Sequence, residues 1–501
     1  MIIPKNILLT ISLTLLSFVC FPQENTITTS KYHLKISRDN LRLVEVSASL
    51  EVQEPYLEMR PWGFPTEIER GWAKFVYLKS ITDNKGAPIN FVWNNELKKW
   101  KLDVPRNSII NLKYEVELSH DNYNWDSGGG IDARPTVWKD NTLFWVSSAL
   151  IIYSDRDAPL KAEITFDIPK EWKVSTAWVK LSNRRFESKN IDELINNLIM
   201  IGNHEERLIK HDNMSITIAT PANFKHRIDL IQQSLEKVLP AYKNIFGELP
   251  TANYLVCASK NTIQDGEAYT NSFHQMFIDK DLEYNKIVWA NTLAHEMFHY
   301  WNGTNFIFSE DYAGNYWFSE GFTNYYSSLS LVRTEIISKE EYLRFLAYQF
   351  SKLDFSQKYA NEKTSLAEAG KSKINNWHFI YGGGTTIAFI LDVEIRAITK
   401  GKKSLDDFMN VLYTKYGKLY KPISVEIQIE ELNYLTNSNF KPFYNQYILG
   451  NTSALDAIDR ACNKAGLAIS HFQSEFYLTP KENKTNSIYQ SIIAPIKSID
   501  Q

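Results

Sequence analysis

Between about residues 30 and 220 the chain alternates hydrophobic and polar positions. Val44, Val46, Ala48, Leu50 and Val52 interleave with Glu45, Ser47, Ser49 and Glu51. Leu112, Tyr114, Val116 and Leu118 repeat the pattern, as do Leu160, Ala162, Ile164, Phe166 and Ile168. Successive strand residues point to opposite faces. A period of two therefore gives one buried and one wetted face, the pattern of antiparallel sheet. Turn residues such as Asp83-Asn-Lys-Gly86 part the runs, and Gly128-Gly-Gly130 reads as a long loop. The pattern predicts an N-terminal β-sandwich or saddle-like domain over residues 24–220.

From about residue 222 the period changes. Ile228, Leu230, Ile231, Leu235, Val238 and Leu239 form a helical stripe. A short strand is predicted at Tyr254 to Ala258 and an edge strand around Phe273 to Ile278. After Lys286 the chain reads as helical to about 478, with turns at Gly401 to Lys403 and Asn433 to Asn439. The fold class expected is multidomain α+β. Residues 221–330 form a mixed α/β subdomain, 331–480 a helical one, and 481–501 a polar, loosely held tail.

The first residues differ from the rest. Lys5 is the only charge before Glu24, and Ile7 to Phe21 is apolar apart from Thr and Ser. That length suits the core of an export signal and is short for a membrane span, so residues 1–23 read as a signal peptide. The expected location is periplasmic or extracellular. The bulky Val19 argues against lipid attachment at Cys20. Cys257, in a strand-like run, and Cys462, in a helical one, lack metal or disulfide spacing and read as buried free thiols.

Composition narrows the partners. The chain has 501 residues, 44% hydrophobic and 23% charged, as in an ordinary globular protein. A net charge of −3 gives no footprint for nucleic acid or an anionic membrane surface.

The chemistry centres on residues 295–299, His-Glu-Met-Phe-His. They lie in Ile287 to Trp301, a stretch without Gly or Pro whose natural state is helix. Positions i and i+4 share a helix face, so His295 and His299 can meet one ion, with Glu296 within reach of the attacking water. Zinc suits neutral imidazoles and needs a third protein ligand and an open position. Glu320, in Trp317-Phe-Ser-Glu-Gly-Phe-Thr-Asn-Tyr-Tyr326, is the candidate, with Glu310 and Asp311 as loop rivals.

Together these blocks resemble the glycyl-aminopeptidase family of zinc peptidases, which shares its two-His, one-Glu site with aminopeptidase N and thermolysin. The match is densest in His295-Glu-x-x-His299-x-Trp301-Asn302 and Trp317-Phe-x-Glu320-Gly321-Phe322-Thr323. It extends to Arg60-Pro-Trp62-Gly63, Tyr381-Gly-Gly-Gly384, Ser404 to Phe408, Phe443 to Gly450 and Ala465-Gly-Leu467. The resemblance implies a thermolysin-like catalytic domain over 221–330, a C-terminal helical bundle, one Zn2+ per chain and a peptide substrate. A C-terminal PDZ domain, common in relatives, is not expected. Two departures stand out. Aminopeptidase N has eighteen residues between the second His and the ligand Glu. Here there are twenty, and Phe318 falls in the strict position.

By the same resemblance Tyr381 donates to the developing oxyanion; Asn324, four residues beyond Glu320, reads either as a partner that orients a ligand imidazole or as surface or core filler. The Gly266-Glu267 segment binds the substrate amine. Aligned on Asn271-Ser272, the family's amine-binding Glu falls at Ala268, with Glu267 one place early, and a one-residue shift in a strand reverses the side chain. The triple glycine reads as a tight turn or a close approach to substrate, and His274 and His378 as ordinary histidines. An aminopeptidase on short peptides is the leading expectation. An endopeptidase or other amide hydrolase, and a catalytically silent peptide-binding protein, are the alternatives; the intact His295, Glu296 and His299 argue against silence.

Overall fold

The computed structural model describes residues 29–60, 69–123, 131–154, 161–250, 252–309, 313–359, 364–481 and 487–496. The expectations for residues 1–23 and Cys20, Trp62-Gly63, Gly128 to Gly130, Leu160, Glu310 and Asp311 lie outside the described residues.

The alternating half forms a seven-stranded sheet. Its order is Val179–Ser182, Arg185–Ser188, Lys161–Asp167, Thr29–Ser37, Asn40–Val52, Ser108–Glu117, Val76–Asp83. The positions picked out by period two are its buried face: Val44, Val46, Leu50, Leu112, Val116, Ile164 and Phe166 all enter one core. The Asp83 turn closes as expected, with Gly86 N–H donating to the Asp83 carbonyl at 3.1 Å and Gly86 at φ +89°. The sheet is not wholly antiparallel. Thr29–Ser37 runs parallel to Lys161–Asp167, a pairing across more than a hundred residues that local alternation does not encode. Two four-stranded sheets and the short helix α1 (Ile191–Ile195) complete this half.

A second core begins near residue 209. It holds a five-stranded sheet in the order Glu205–His211, Met214–Thr220, Asn253–Asn261, Ser272–Ile278, Asp265–Tyr269. The edge strand is therefore Asp265–Tyr269. Ser272–Ile278 is internal, hydrogen-bonded on both sides, because the Tyr269-to-Ser272 hairpin turns one more strand onto it.

Eleven helices follow among the described residues: α2 (Ile228–Phe246), α3 (Lys286–Phe298), α4 (Tyr316–Arg333), α5 (Lys339–Tyr359), α6 (Leu366–Ala369), α7 (Trp377–Ile398), α8 (Leu405–Lys415), α9 (Val425–Thr436), α10 (Lys441–Tyr447), α11 (Leu455–Ala465) and α12 (Ile488–Ile492). Two expectations change here. Residues 467–472 and 475–480 form a β-hairpin rather than helix. The polar tail carries α12, with Tyr489 and Ile492 buried and the Ile492 carbonyl accepting from Arg333 Nε at 2.8 Å. Cys257 and Cys462 are buried free thiols. No helix among the described residues is long and apolar enough to cross a membrane.

Two contacts set the site's frame. α4 is buried from Trp317 to Arg333 and crosses α7 through a pair of glycines. A Cβ on Gly321 would lie 2.3 Å from Gly384 Cα, and one on Gly384 would lie 2.0 Å from the Trp317 carbonyl oxygen. Only glycine allows two helix backbones so close. The triple glycine is thus the interior of α7, not a turn: Gly382 packs on α5, Gly383 on Leu366 and Gly384 on α4.

Candidate metal centre

His295 and His299 project from one face of α3, one turn apart, as helical spacing requires. Their Nε2 atoms are 3.0 Å apart. Glu320, on the second turn of α4, brings Oε2 to 3.3 Å from His295 Nε2 and 3.4 Å from His299 Nε2. Of the described residues, only these three form a cluster with metal-ligand geometry. Phe318 points elsewhere, fully buried and stacked on Phe322 at 4.1 Å. Glu320 is set beside the histidines by where α4 packs on α3, and the connection absorbs the longer spacing.

The histidines are oriented from behind. After α3 the chain makes a wide turn, Tyr300–Asn305, kinked at Asn302 and at Gly303, which has φ +154°. This brings the Asn302 carbonyl to 2.9 Å from His299 Nδ1. A carbonyl can only accept, so Nδ1 donates there, and Nε2 is turned toward Glu320. The Asn302 side chain donates to the carbonyls of Phe318 and Ser319 and to Thr323 Oγ1, tying α3 to α4. Trp301 stacks on Phe246 at 5.0 Å and holds the turn in the core. The Trp301-Asn302 pair in the sequence therefore does the job expected of Asn324. Asn324 itself bonds Thr385 Oγ1 at 2.9 Å and Asn291 at 3.1 Å, away from both imidazoles.

Tyr381 sits in the second turn of α7, where the glycine crossing lowers it onto Glu320. Its hydroxyl donates to Glu320 Oε2 at 2.7 Å, and its ring lies over His295 at 5.9 Å. Burial, with Glu320 next, holds its pKa well above the ordinary tyrosine value, so it remains a proton donor. Glu296 is buried beside His295. A Cβ on Gly266 would stand 3.1 Å from Glu296 Cγ and 2.9 Å from Thr292 Cγ2, so glycine lets the edge strand lie against α3 at Glu296.

Lys373 carried no signal in the sequence. Its Nζ binds Glu320 Oε1 at 2.7 Å. Burial pushes the Glu320 carboxyl up, but Lys373 and the two histidines outweigh it and hold it well below the usual carboxylate range. Burial lowers the His295 pKa to about 4, against the pull of Glu320, so the ring is neutral and ready to ligate.

All of these groups open on one cleft of about 1500 Å³ that continues to Asn190, Glu193 and Asn196 of the first half. Gly266, Glu267 and Asp265 line it from the edge strand. Burial raises Glu267 to about 7; Lys373 opposes the rise while Glu320 and Asp265 add to it. Glu267 is thus within electrostatic reach of the metal ligands. His274 is satisfied by Ser259 at 3.0 Å, and His378 is exposed.

Comparison with known proteins gives a consistent picture. A family model described as M61 glycyl aminopeptidase matches residues 288–386, and one described as the peptidase M61 N-terminal domain matches residues 31–203. Among solved structures, an aminopeptidase N family protein from Idiomarina loihiensis aligns with a TM-score of 0.73 at 20% identity. The alignment covers 88% of this chain and 79% of that one. At that identity the likeness carries the fold. No curated protein matches the chain.

Proposed function

The chain belongs to the M61 glycyl aminopeptidase family of metallopeptidases, and we propose that it is a zinc aminopeptidase acting on peptides with a free amino terminus. The observation that carries this reading is the triangle of His295 Nε2, His299 Nε2 and Glu320 Oε2, with sides of 3.0, 3.3 and 3.4 Å. Ligand atoms held ~2.0–2.1 Å from a tetrahedral zinc lie roughly 3.3 Å from one another, so the residues fit that ion. A bound zinc would supply a Lewis acid for the scissile carbonyl and an acidified water.

The chain's own groups do the rest. Glu296, one residue from His295 and walled by the edge strand, takes the proton of the attacking water and returns it to the leaving nitrogen. Tyr381, kept protonated by burial, donates to the carbonyl oxygen as it gains charge. Asp265–Tyr269, the last strand of its sheet among the described residues, offers backbone for an extended peptide.

Charge supports the free amine. Asp192, Glu193, Asp265, Glu267, Glu296 and Glu320 put six carboxyls on the cleft wall, against three cations, Arg60, Lys189 and Lys373. A divalent ion leaves one negative charge in surplus, and a substrate ammonium balances it. Glu267, which faces the same cleft as the ligands, serves as the anchor although the family's position is Ala268. The apolar run at Ile7 to Phe21 supports action outside the cytoplasm.

The test is a panel of matched peptides with free and acetylated amino termini. Faster cleavage of free-amine peptides, with loss of that preference in Glu267→Gln, is the expected result. A preference for acetylated peptides would transfer the reading to an endopeptidase.

A further inference from the structure

We propose that Lys373 is a positioning residue for the metal site: its ammonium takes one oxygen of Glu320 and thereby turns the other onto the two histidines. The inference rests on the metallopeptidase reading and adds a residue that the metal motif does not contain.

The two oxygens of Glu320 have divided duties. Oε1 receives Lys373 Nζ at 2.7 Å. Oε2 faces His295 and His299 and accepts from Tyr381. A glutamate has three rotatable torsions, and here two more carboxyls, Glu267 and Glu296, line the same cleft. Without a cation on Oε1, repulsion and rotamer freedom would both move the carboxylate off the histidine pair. A charge-assisted bond on one oxygen removes that freedom and leaves a single oxygen free to ligate.

Lys373 is itself held, which separates it from an incidental surface pair. Its side chain is 29% exposed. The ammonium lies 4.6 Å from the Tyr316 ring, 5.7 Å from Trp377 and 6.0 Å from Tyr381, a set of π-faces that favours a cation. Tyr316 begins α4 and Trp377 begins α7, so the lysine sits where the helices that carry Glu320 and Tyr381 start. The turn that carries it is rigid. Gly370 lies so close to the Ala313 carbonyl that no Cβ fits. Asn376 Nδ2 donates to the carbonyls of Ala369 at 3.0 Å and Ser372 at 3.2 Å.

The sign of the effect discriminates. A cation beside a metal site repels the metal, so a purely electrostatic role predicts tighter metal binding when the charge is removed. A positioning role predicts weaker binding. The experiment measures zinc and cobalt affinity of the purified full chain by chelator competition, with the visible spectrum of the cobalt form, for wild type, Lys373→Met, Lys373→Gln and Lys373→Arg. Expected are a loss of about 10–100-fold in affinity for Lys373→Met, a changed cobalt spectrum, and recovery of both in Lys373→Arg. Thermal unfolding of the metal-free proteins separates a loss of fold from a loss of affinity; should Lys373→Met fail to fold, Lys373→Gln carries the comparison. Wild-type or tighter affinity in the Met or Gln variant, with an unaltered cobalt spectrum, overturns the proposal and leaves the metal reading standing. A wild-type chain that binds neither ion overturns both.

Discussion

α4 and α7 carry a buried charge cluster at each end, and the two clusters are built on opposite principles. At one end Arg333 pairs with Asp406 at 2.9 Å and Arg396 with Asp392 at 2.9 Å. Tyr325 donates to Asp392 Oδ2, the Leu405 N–H donates to Oδ1, and Arg333 also reaches the Ile492 carbonyl on α12. Two guanidiniums meet two carboxylates, and backbone groups take further bonds. Glu320, thirteen residues and roughly 20 Å back along α4, lies on an open cleft whose wall carries six carboxyls and three cations. The balanced cluster clamps helices α4, α7, α8 and α12. The other keeps an excess of negative charge facing the cleft, which on the proposed function a metal ion and a substrate amine would offset. Buried charge that is fully paired within the chain marks architecture; buried charge that is short of partners and reachable from solvent marks chemistry.

The contrast can be broken most severely at Glu296. Glu296→Gln should lower kcat by about 10²–10⁴-fold with metal content unchanged in elemental analysis. Normal turnover would remove Glu296 from proton transfer. At the balanced end Arg333→Met should cost about 1.5–3 kcal/mol in denaturant unfolding, because the half-buried Asp406 loses its charged partner. Turnover per folded molecule should hold, and a fall in kcat with stability intact would mean that the clamp also tunes the site.

The crossing joins the two ends. Gly384→Ala should destabilise by about 1–3 kcal/mol through overpacking and also reduce activity, since the helix that carries Tyr381 must move away from Glu320. A loss of stability alone would uncouple the ends. The smallest effect concerns pH. Burial raises Glu267 to about 7 from a usual value near 4.5. A carboxyl whose folded pKa is raised contributes stability below the unfolded value and loses it as pH climbs through the folded one. The metal-free protein should therefore weaken as pH rises from about 4.5 through about 7, and Glu267→Gln should remove that slope while raising KM for free-amine peptides. The same slope in Glu267→Gln would assign it to other groups.

Much of the fold was legible because its signals are local. Alternation at Val44 to Val52 marks the pleat of one strand, and the stripe from Ile228 to Leu239 marks one helix face. Where pairing joined distant segments, the signal failed: the parallel partner of Thr29–Ser37, the true edge strand Asp265–Tyr269 and the hairpin at 467–480 have no period that tells them from their neighbours. The polar tail misled in another way, since two apolar side chains and one buried arginine suffice to hold α12. Around the site, Trp301-Asn302 was visible as part of a motif, but its role in orienting His299 follows from a kinked turn that no periodicity announces. The glycines of 382–384 were visible as well, yet a glycine run reads alike whether it makes a turn or a close helix crossing.

By itself the sequence determined the sheet half, the helical half and the placing of His295 and His299 on one helix face, because each follows from the repeat of a single backbone element. Only the tertiary structure decided what surrounds that face. Glu320 reaches His295 across 25 residues, Lys373 reaches Glu320 across 53 and Tyr381 reaches it across 61. Those meetings are fixed by how helices cross at Gly321 and Gly384 and by how a strand edge lies on Gly266, and backbone approach of that kind leaves no pattern along the chain.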